Sequence, residues 1–426
     1  MSLFRFDMAS VRANPVIRIW RHRNFALFMS GIGPFYTTGW MQRLAVGWMA
    51  WELTRSHAWV GAVAAADLAP MMVLGPLAGA LIDRTDPLKQ MRWTQLVIMS
   101  QALLLAVTTV SGHMSIWLLF ALSLLTGVIQ PIYTAARQTV VPSMVPREEF
   151  PTAVSLDSSI FHGSRFIGPM LAAVVIPIAG VAGAFFAHVA GCLAFVVQVR
   201  RIKMPPPDRS ARARSSFIAD LGAGLSYVRR HQGLRPLFLL LFVISIVARP
   251  MQDLLPGFAD EVFLSGATGL AWLTSAMGIG SLLSAMFLAT RGRVEGLTHL
   301  TILSSAGLGL STIAFVATPN LAAGVVSAVG WGFTLTLMGV SIQAMTQTVV
   351  SNQMRGRVMI LVAMIYRGVP ALGAVIVGVL AEHVGLRLAF GVSGVICLVA
   401  WLVLTPRQGR IDHAMSERPE GDRPIR

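Results

Sequence analysis

The sequence predicts an all-α membrane protein with twelve transmembrane helices in two pseudo-symmetric six-helix bundles. Three observations predict this fold: an apolar composition, twelve long apolar stretches, and a repeat that relates the two halves of the chain. Of the 426 residues, 55% are hydrophobic and 12% charged, and the mean hydropathy is +0.67. A soluble domain carries about 25% charged residues and hides its large apolar surfaces from water. The composition therefore excludes an ordinary soluble protein.

The apolar stretches are long enough to cross a bilayer, which takes about 20 residues per helix. The first is too long for a signal peptide, so we expect the protein to keep it. They divide the chain into an amino-terminal segment (1–24), a six-helix bundle (25–199), a linker (200–235), a second bundle (236–405) and a tail (406–426) expected to be disordered. The predicted spans are 25–51, 59–82, 94–111, 115–136, 156–178, 181–199, 236–258, 268–290, 298–317, 320–349, 358–381 and 385–405.

The basic residues predict the orientation of these spans. Of the 34 Lys and Arg, 28 fall in the two tails and in the loops after even-numbered spans, whereas only Arg55 and Arg387 lie on the opposite side. Cytoplasmic loops of membrane proteins carry the excess of Lys and Arg. We therefore expect a multi-pass protein of the cell (inner) membrane with both termini in the cytoplasm. Because the net charge of +15 is scattered over short loops, we expect no nucleic-acid partner.

Several short strings recur in the same order in the two halves. Gln-Thr-Val-Val at 138–141 returns at 347–350, and Arg165 with Pro169 corresponds to Arg367 with Pro370. The offsets are all roughly 200 to 210 residues, which indicates two repeats in the same orientation. Parallel repeats of this kind occur in transporters that alternate access around a central site.

The linker is basic and rich in Pro and Ser up to Ser216. From there Phe217, Leu221, Leu225 and Val228 recur at near-helical spacing. This pattern predicts an amphipathic helix on the cytoplasmic surface of the lipid bilayer. The alternative is an extension of the seventh span.

Two parallel six-span repeats with a long middle loop resemble the major facilitator superfamily. Residues 79–89 resemble the loop signature of that superfamily, with Gly79, Asp83 and Arg84 at matching positions and Asp86 where Gly is usual. The resemblance implies that Asp83 latches the two halves at the cytoplasmic mouth in the outward-open state. Arg137, at the end of the fourth span, could be a local partner in this gate.

Residues 163–173 resemble the antiporter motif of exporters. The Gly168–Pro169 pair of that motif is in place, while Ala172 and Ala173 replace its closing glycines. Together with local strings such as Trp51-Glu52-Leu53-Thr54, this motif is similar to the drug:proton antiporter subgroup that includes macrolide efflux pumps and the enterobactin exporter. The resemblance implies an exporter whose first, fourth, seventh and tenth spans line a central cavity.

Ionisable side chains inside the spans are the candidates for the substrate and ion pathway. Each costs roughly 2.5–3.5 kcal/mol on insertion scales, so such residues face a cavity or a partner. Arginines outnumber carboxylates, which hints at an anionic or phenolic substrate. The pathway candidates are Arg43, Asp67, Arg165, Arg249, Asp253 and Arg367.

Two ion pairs are expected among these candidates. Asp253 follows Arg249 by four residues, so the two would share a face of a continuous helix. Arg43 and Asp67 lie at similar depths in consecutive antiparallel spans. Such pairs could be purely structural, but Asp67 could also carry a proton, because a carboxylate in a site of low dielectric constant can take up and release a proton as access alternates.

No motif for another chemistry is present. The only lysines, Lys89 and Lys203, are not part of a phosphate-binding loop, and we find no catalytic elbow and no metal-spaced Cys or His. We therefore expect no enzyme activity, cofactor or metal. The sequence predicts a monomeric secondary active transporter that exports a small organic molecule, such as a drug or siderophore, in exchange for protons. The alternatives are a transporter or flippase of lipid-like or anionic metabolites and a transporter-like membrane sensor.

Overall fold

The computed structural model of the chain describes residues 18–204, 217–291 and 295–416, and within these residues it is helical without strands. The helices of the first half are α1 (Arg23–Thr54), α2 (His57–Leu68), α3 (Pro70–Arg84), α4 (Pro87–Val110), α5 (Ile116–Val140) and α6 (Phe150–Arg201). The later helices are α7 (Phe217–Arg230), α8 (Leu234–Val247), α9 (Gly266–Arg291), α10 (Leu297–Ala317), α11 (Leu321–Val349), α12 (Asn352–Arg367), α13 (Val369–Val384), α14 (Leu386–Leu404) and α15 (Gln408–Ser416).

Polar side chains begin several of these helices where the sequence predicts loops. Ser56, Ser115 and Asn320 each accept a hydrogen bond from a backbone amide in the first turn of the next helix. Asp86 does the same before α4, which has Pro87 at its first position. These caps satisfy amide groups that have no partner inside the helix, and therefore they fix where each helix starts.

Ten helical segments in the described residues are long and apolar enough to cross a membrane. The protein is thus a multi-pass membrane protein. Helix α1 has 32 residues but is not among the ten segments, because Gln42, Arg43 and neighbouring polar residues lower its hydropathy.

Helix α6 consists of two arms that meet at Gly180. This residue has φ 66° and ψ −177°, a conformation that glycine adopts readily and other residues rarely. The ring of Phe161 in the first arm lies 5.2 Å from that of Tyr36, and the ring of Phe195 in the second arm lies 5.3 Å from that of Phe35. Both arms therefore run beside the same part of α1, so the chain reverses its direction at Gly180, between the predicted fifth and sixth spans.

The first half packs against the second along two seams, α2 against α13 and α6 against α9. Glycines allow the backbones to approach closely, since a Cβ atom at Gly378 would lie 2.7 Å from the carbonyl oxygen of His57. Small residues are common at such contacts in membranes, where close packing holds helices together.

The linker contains the helix predicted from its apolar spacing. Helix α7 ends at Arg230, and a turn at 231–233 separates it from α8, so it is not an extension of the seventh span. It packs on α12, where Asp220 Oδ1 lies 2.6 Å from Arg357 Nε. Its position on the bilayer surface stays a prediction, and residues 205–216 are outside the described residues.

The start of the carboxyl-terminal tail is helical, which corrects the expectation of disorder for that part. In α15, Ile411 is buried and Met415 packs on Gly233, so this short helix is held against the start of α8. Residues 417–426 lie outside the described residues.

Candidate functional site

Three helical segments inside the predicted spans are interrupted at a proline. The interruptions occur at Pro70, Pro250 and Pro370. Proline has no amide hydrogen and clashes with the carbonyl group one turn earlier, so it ends or bends a helix. Broken helices form substrate and ion sites in many secondary transporters. The ionisable residues next to these breaks are Asp67, Arg249, Asp253 and Arg367.

Arg43 binds two carboxylates at the centre of the charged region. Its Nη1 donates to Asp67 Oδ2 at 2.7 Å, and its Nη2 donates to Asp253 Oδ1 at 2.9 Å. The predicted pair of Arg43 and Asp67 is confirmed. A planar guanidinium group can serve two carboxylates because its nitrogens point in fixed, different directions. This cluster joins α1 and α2 of the first half to the chain just after Pro250 in the second.

The predicted pair of Arg249 and Asp253 is wrong. It assumed a continuous α-helix, but Arg249–Gln252 forms a 3₁₀ turn around Pro250, which changes the number of residues per turn and directs Asp253 to Arg43. Arg249 lies instead over the ring of Tyr366, with Cζ 4.1 Å from the ring centre. Its Nη1 atom is buried and has no hydrogen-bond partner within the described ranges.

Arg165 also reaches the break at Pro250. Its Nη2 donates to Gln252 Oε1 at 2.7 Å, and its Cζ lies 5.4 Å from the ring centre of Trp40. Arg43 lies on the same Trp40 ring, at 5.9 Å. Among the described ion pairs of the protein, none involves Arg165, Arg249 or Arg367.

Arg367 lies near charged groups of both halves. Its side chain is exposed, and it lies within electrostatic range of Arg249 and of Arg137 and Tyr36 in the first half. A side chain that faced lipid would not have charged neighbours from the opposite half. The six pathway candidates therefore lie near one another at the junction of the two halves.

The motif residues fall in two places. Gly168 lies where α6 crosses α1, and a Cβ atom there would be 2.5 Å from the carbonyl oxygen of Thr37 and 2.6 Å from Trp40 Cβ. Pro169 follows it and is buried. Glycine thus permits the close contact that places Arg165 beside Trp40.

The predicted cytoplasmic gate stays a prediction. The side chains of Gly79, Asp83 and Arg84, at the end of α3, lie outside the part of the chain that the structure describes. Arg137 pairs with Asp157 of α6 and lies over the ring of Tyr36 at 5.8 Å, so its partner is within the first half.

Sequence reasoning missed a second charged cluster, at the face predicted to be non-cytoplasmic. Asp260 accepts hydrogen bonds from Arg55 and, at 3.0 Å, from Trp51 Nε1. His57 Nε2 lies 3.2 Å from a carboxylate oxygen of Glu261. These contacts join the end of α1 and the start of α2 to the π-helical turn at 258–262 of the second half. We use the term latch for this cluster, which comprises Arg55, His57, Asp260, Glu261 and Glu382.

Glu382 completes the latch by capping a helix of the other half. Its Oε2 accepts from the amides of His57 at 2.8 Å and Ala58 at 3.3 Å, and from Ser56 Oγ at 3.2 Å. These amides open α2, where no carbonyl group of the helix is available to them and the helix dipole favours a negative charge. One signal in the sequence could have indicated the latch: Arg55 is one of two basic residues on a face that also carries Asp260 and Glu261.

Comparisons with known proteins identify the family. A family model described as transmembrane secretion effector matches residues 19–418. The chain belongs to this family of the major facilitator superfamily. It is therefore a transporter and not an enzyme.

The relatives are distant in sequence but similar in length. The chain is 24% identical over 391 residues to the staphyloferrin A transporter of Staphylococcus aureus, covering 87% of this chain and 93% of the relative. It is 26% identical over 403 residues to the multidrug efflux pump Tap of Mycolicibacterium fortuitum, covering 90% of this chain and 93% of the pump. It is 22% identical over 344 residues to the macrolide efflux protein A of Streptococcus pyogenes, covering 77% of this chain and 82% of that protein.

The fold is similar to that of solved transporters. A crystal structure of a POT family transporter in complex with 5-aminolevulinic acid has a TM-score of 0.73 at 10% identity, covering 91% of this chain and 96% of that chain.

Proposed function

We propose that this transporter exports a small organic molecule across the cell (inner) membrane by alternating access, in exchange for protons. In this proposal, twelve spans form bundles at 25–199 and 236–405, and the termini and the linker at 200–235 lie in the cytoplasm. Adding α1 to the ten apolar segments and counting the arms of α6 separately gives this number of spans. The transporter acts as a monomer.

The observation that carries the proposal is the position of Arg43 between Asp67 and Asp253. When both carboxylates are ionised, one cation faces two anions, so the cluster carries a net negative charge in a region of low dielectric constant. Protonating one carboxylate leaves a neutral ion pair, which costs less to keep away from water. Uptake of a proton therefore changes the charge of the cluster that joins the two halves, and this change is the basis of coupling.

Asp67 is the better proton carrier of the two. Its side chain is 27% exposed, against 12% for Asp253. Greater contact with water allows Asp67 to exchange a proton with one side of the membrane. Asp253 then keeps Arg43 paired while Asp67 is protonated.

The distribution of contacts between the halves supports alternating access. The latch joins the two halves at the face predicted to be non-cytoplasmic, whereas Arg367, about midway along its predicted span, is exposed. In this proposal, the described arrangement is the inward-open state. Opening the latch while the other side closes would expose the Arg43 cluster to the opposite side, as exchange of a proton for substrate requires.

The names of the relatives support a small organic substrate that leaves the cell. They include a macrolide efflux protein, a multidrug efflux pump and a transporter of staphyloferrin A.

Transport by the purified full chain in lipid vesicles tests the proposal. Erythromycin, rhodamine 6G and carboxyfluorescein serve as probes, with a pH gradient imposed across the membrane. We expect at least one probe to accumulate with the gradient and to stop when a protonophore collapses it. Asp67→Asn should abolish this accumulation, while Glu52→Gln, which removes an exposed carboxylate of α1, should not. Accumulation that ignores the gradient would overturn proton antiport, and an unchanged Asp67→Asn variant would overturn the role of Asp67.

A further inference from the structure

The charged groups between the two halves are not balanced. Arg43 is paired with Asp67 and Asp253, and Arg137 is paired with Asp157. Arg165, Arg249 and Arg367 belong to none of the described ion pairs, although each lies in or beside a predicted span. An arginine inside a membrane is costly unless water or an anion compensates its charge. Three such side chains in one region need a common explanation.

Arg249 lies within electrostatic range of both other arginines, Arg165 and Arg367. Like charges repel, so the surrounding structure must hold them in place. Gln252 binds Arg165, and the rings of Trp40 and Tyr366 lie against Arg165 and Arg249. These neutral partners position the cations without neutralising them.

One of the donors is buried and unused. Arg249 Nη1 has no hydrogen-bond partner among the residues that the structure describes, although a buried donor without a partner normally costs free energy. In addition, Arg165 donates to an amide oxygen where a carboxylate would form a stronger bond. The region is thus prepared for acceptor groups that the protein does not supply.

We infer that the transported substrate is an organic anion whose carboxylate or phenolate groups bind to Arg165, Arg249 and Arg367. This inference rests on the proposed transport function, and it names the substrate class of the same site. The rings of Trp40 and Tyr366 beside the cations suit an anion that also carries an aromatic or apolar body. A cationic drug would be repelled from this region by three unpaired positive charges.

Two xanthene dyes of similar shape and opposite charge provide the test. Carboxyfluorescein is an anion and rhodamine 6G is a cation. Binding of each dye to the purified full chain is measured by fluorescence polarisation, without any gradient. We expect saturable binding of carboxyfluorescein that is weakened about tenfold or more in Arg165→Gln and in Arg249→Gln, since each loses a charge-assisted hydrogen bond. The matched control is Arg387→Gln, which lies at the face predicted to be non-cytoplasmic and away from the three arginines. This variant should bind the anion as the unmodified protein does.

Conservative variants keep the test independent of folding. Arg165→Lys retains the charge and should bind the anion more tightly than Arg165→Gln does. Variants are compared when each elutes as a single species in size-exclusion chromatography and has an unchanged Tm. Tighter binding of rhodamine 6G than of carboxyfluorescein would overturn the inference. Equal binding of the anion by Arg165→Gln and Arg387→Gln would also overturn it.

The two proposals fail in different ways. Gradient-driven export of rhodamine 6G without binding of carboxyfluorescein would leave the transport function standing and overturn the anion site. Binding of carboxyfluorescein that is weakened in Arg165→Gln and in Arg249→Gln, without gradient-driven transport of any probe, would support the anion site and overturn the proposed antiport.

Discussion

Arg43 Nη2 donates to Asp253 Oδ1 at 2.9 Å, and this bond joins residues 210 positions apart in the sequence. The same guanidinium group uses its other terminal nitrogen for Asp67. A contact between the first and second halves of the chain is therefore made by the residue that also holds the candidate proton carrier. Whatever changes the charge of Asp67 acts directly on the junction between the halves.

Lysine cannot replace Arg43. A single ammonium group lacks the fork of nitrogens that reaches two carboxylates at once. We expect Arg43→Lys to lose one charge-assisted hydrogen bond, about 1.5–3 kcal/mol, and to slow gradient-driven transport about tenfold or more. Vesicle transport checks this prediction, with Arg387→Lys as the control for the same exchange away from the cluster. Normal transport by Arg43→Lys would show that bridging is not required.

Removing the cation altogether should make stability depend on pH. In Arg43→Gln, Asp67 and Asp253 are two neighbouring anions with no cation between them, and their repulsion favours protonation of one. The fall in Tm relative to the unmodified protein should be large near about pH 8 and smaller near about pH 5, because acid removes the repulsion. A Tm deficit that is the same at both pH values would contradict the shared cluster.

The latch should open for transport to proceed. Both native cysteines, Cys192 and Cys397, are fully buried, so introduced cysteines can be modified selectively. We expect a reducible bifunctional thiol reagent to block transport by the double variant Arg55→Cys/Asp260→Cys, with a loss of about tenfold or more in rate. Reduction should restore the rate, and neither single variant should respond to the reagent. Undiminished transport by the cross-linked protein would show that this face stays closed throughout the cycle.

The sequence was sufficient to predict the membrane class, the all-helical fold and the Arg43–Asp67 pair. Hydropathy and the depth of residues in consecutive spans are local properties that the folded protein keeps. The pair of Arg249 and Asp253 failed because spacing on an ideal helix takes no account of Pro250, which unwinds the segment between them. A proline inside a predicted span is a reason to doubt a pair that extends across it.

The latch could not be predicted from local pattern. Arg55 and Asp260 are 205 residues apart, and Glu382 is 325 residues from the amide of His57 that it binds. Each of these residues has the ordinary appearance of a charged residue at a helix end. They become partners only because of how the two halves pack against each other. A spacing rule that applies within one half cannot predict that packing.

Gly168 should be intolerant of a side chain. A Cβ atom would meet the backbone of α1 at Thr37, and backbone atoms cannot move aside as the end of a flexible side chain can. We expect Gly168→Ala to lower stability by about 1–3 kcal/mol through overpacking. Gly163, in the same arm of α6, is the matched control, because a Cβ atom there has no neighbour within 4 Å. Gly163→Ala should be neutral or slightly stabilising, and equal Tm values for the two variants would contradict the close contact.

Tyr366 should hold Arg249 mainly through the face of its ring. The Cζ atom of Arg249 lies 4.1 Å from the ring centre, a distance at which the negative face of the ring attracts the cation. Tyr366→Phe keeps this face and should retain stability and binding of carboxyfluorescein, while Tyr366→Leu should cost about 1–2 kcal/mol. Because Tyr366→Leu also changes packing, a double-mutant cycle with Arg249→Met separates the two effects. A favourable coupling energy between Arg249 and residue 366 that is the same with Tyr and with Phe at position 366 would assign the interaction to the ring. No coupling energy would mean that Arg249 is positioned by its own helix turn alone.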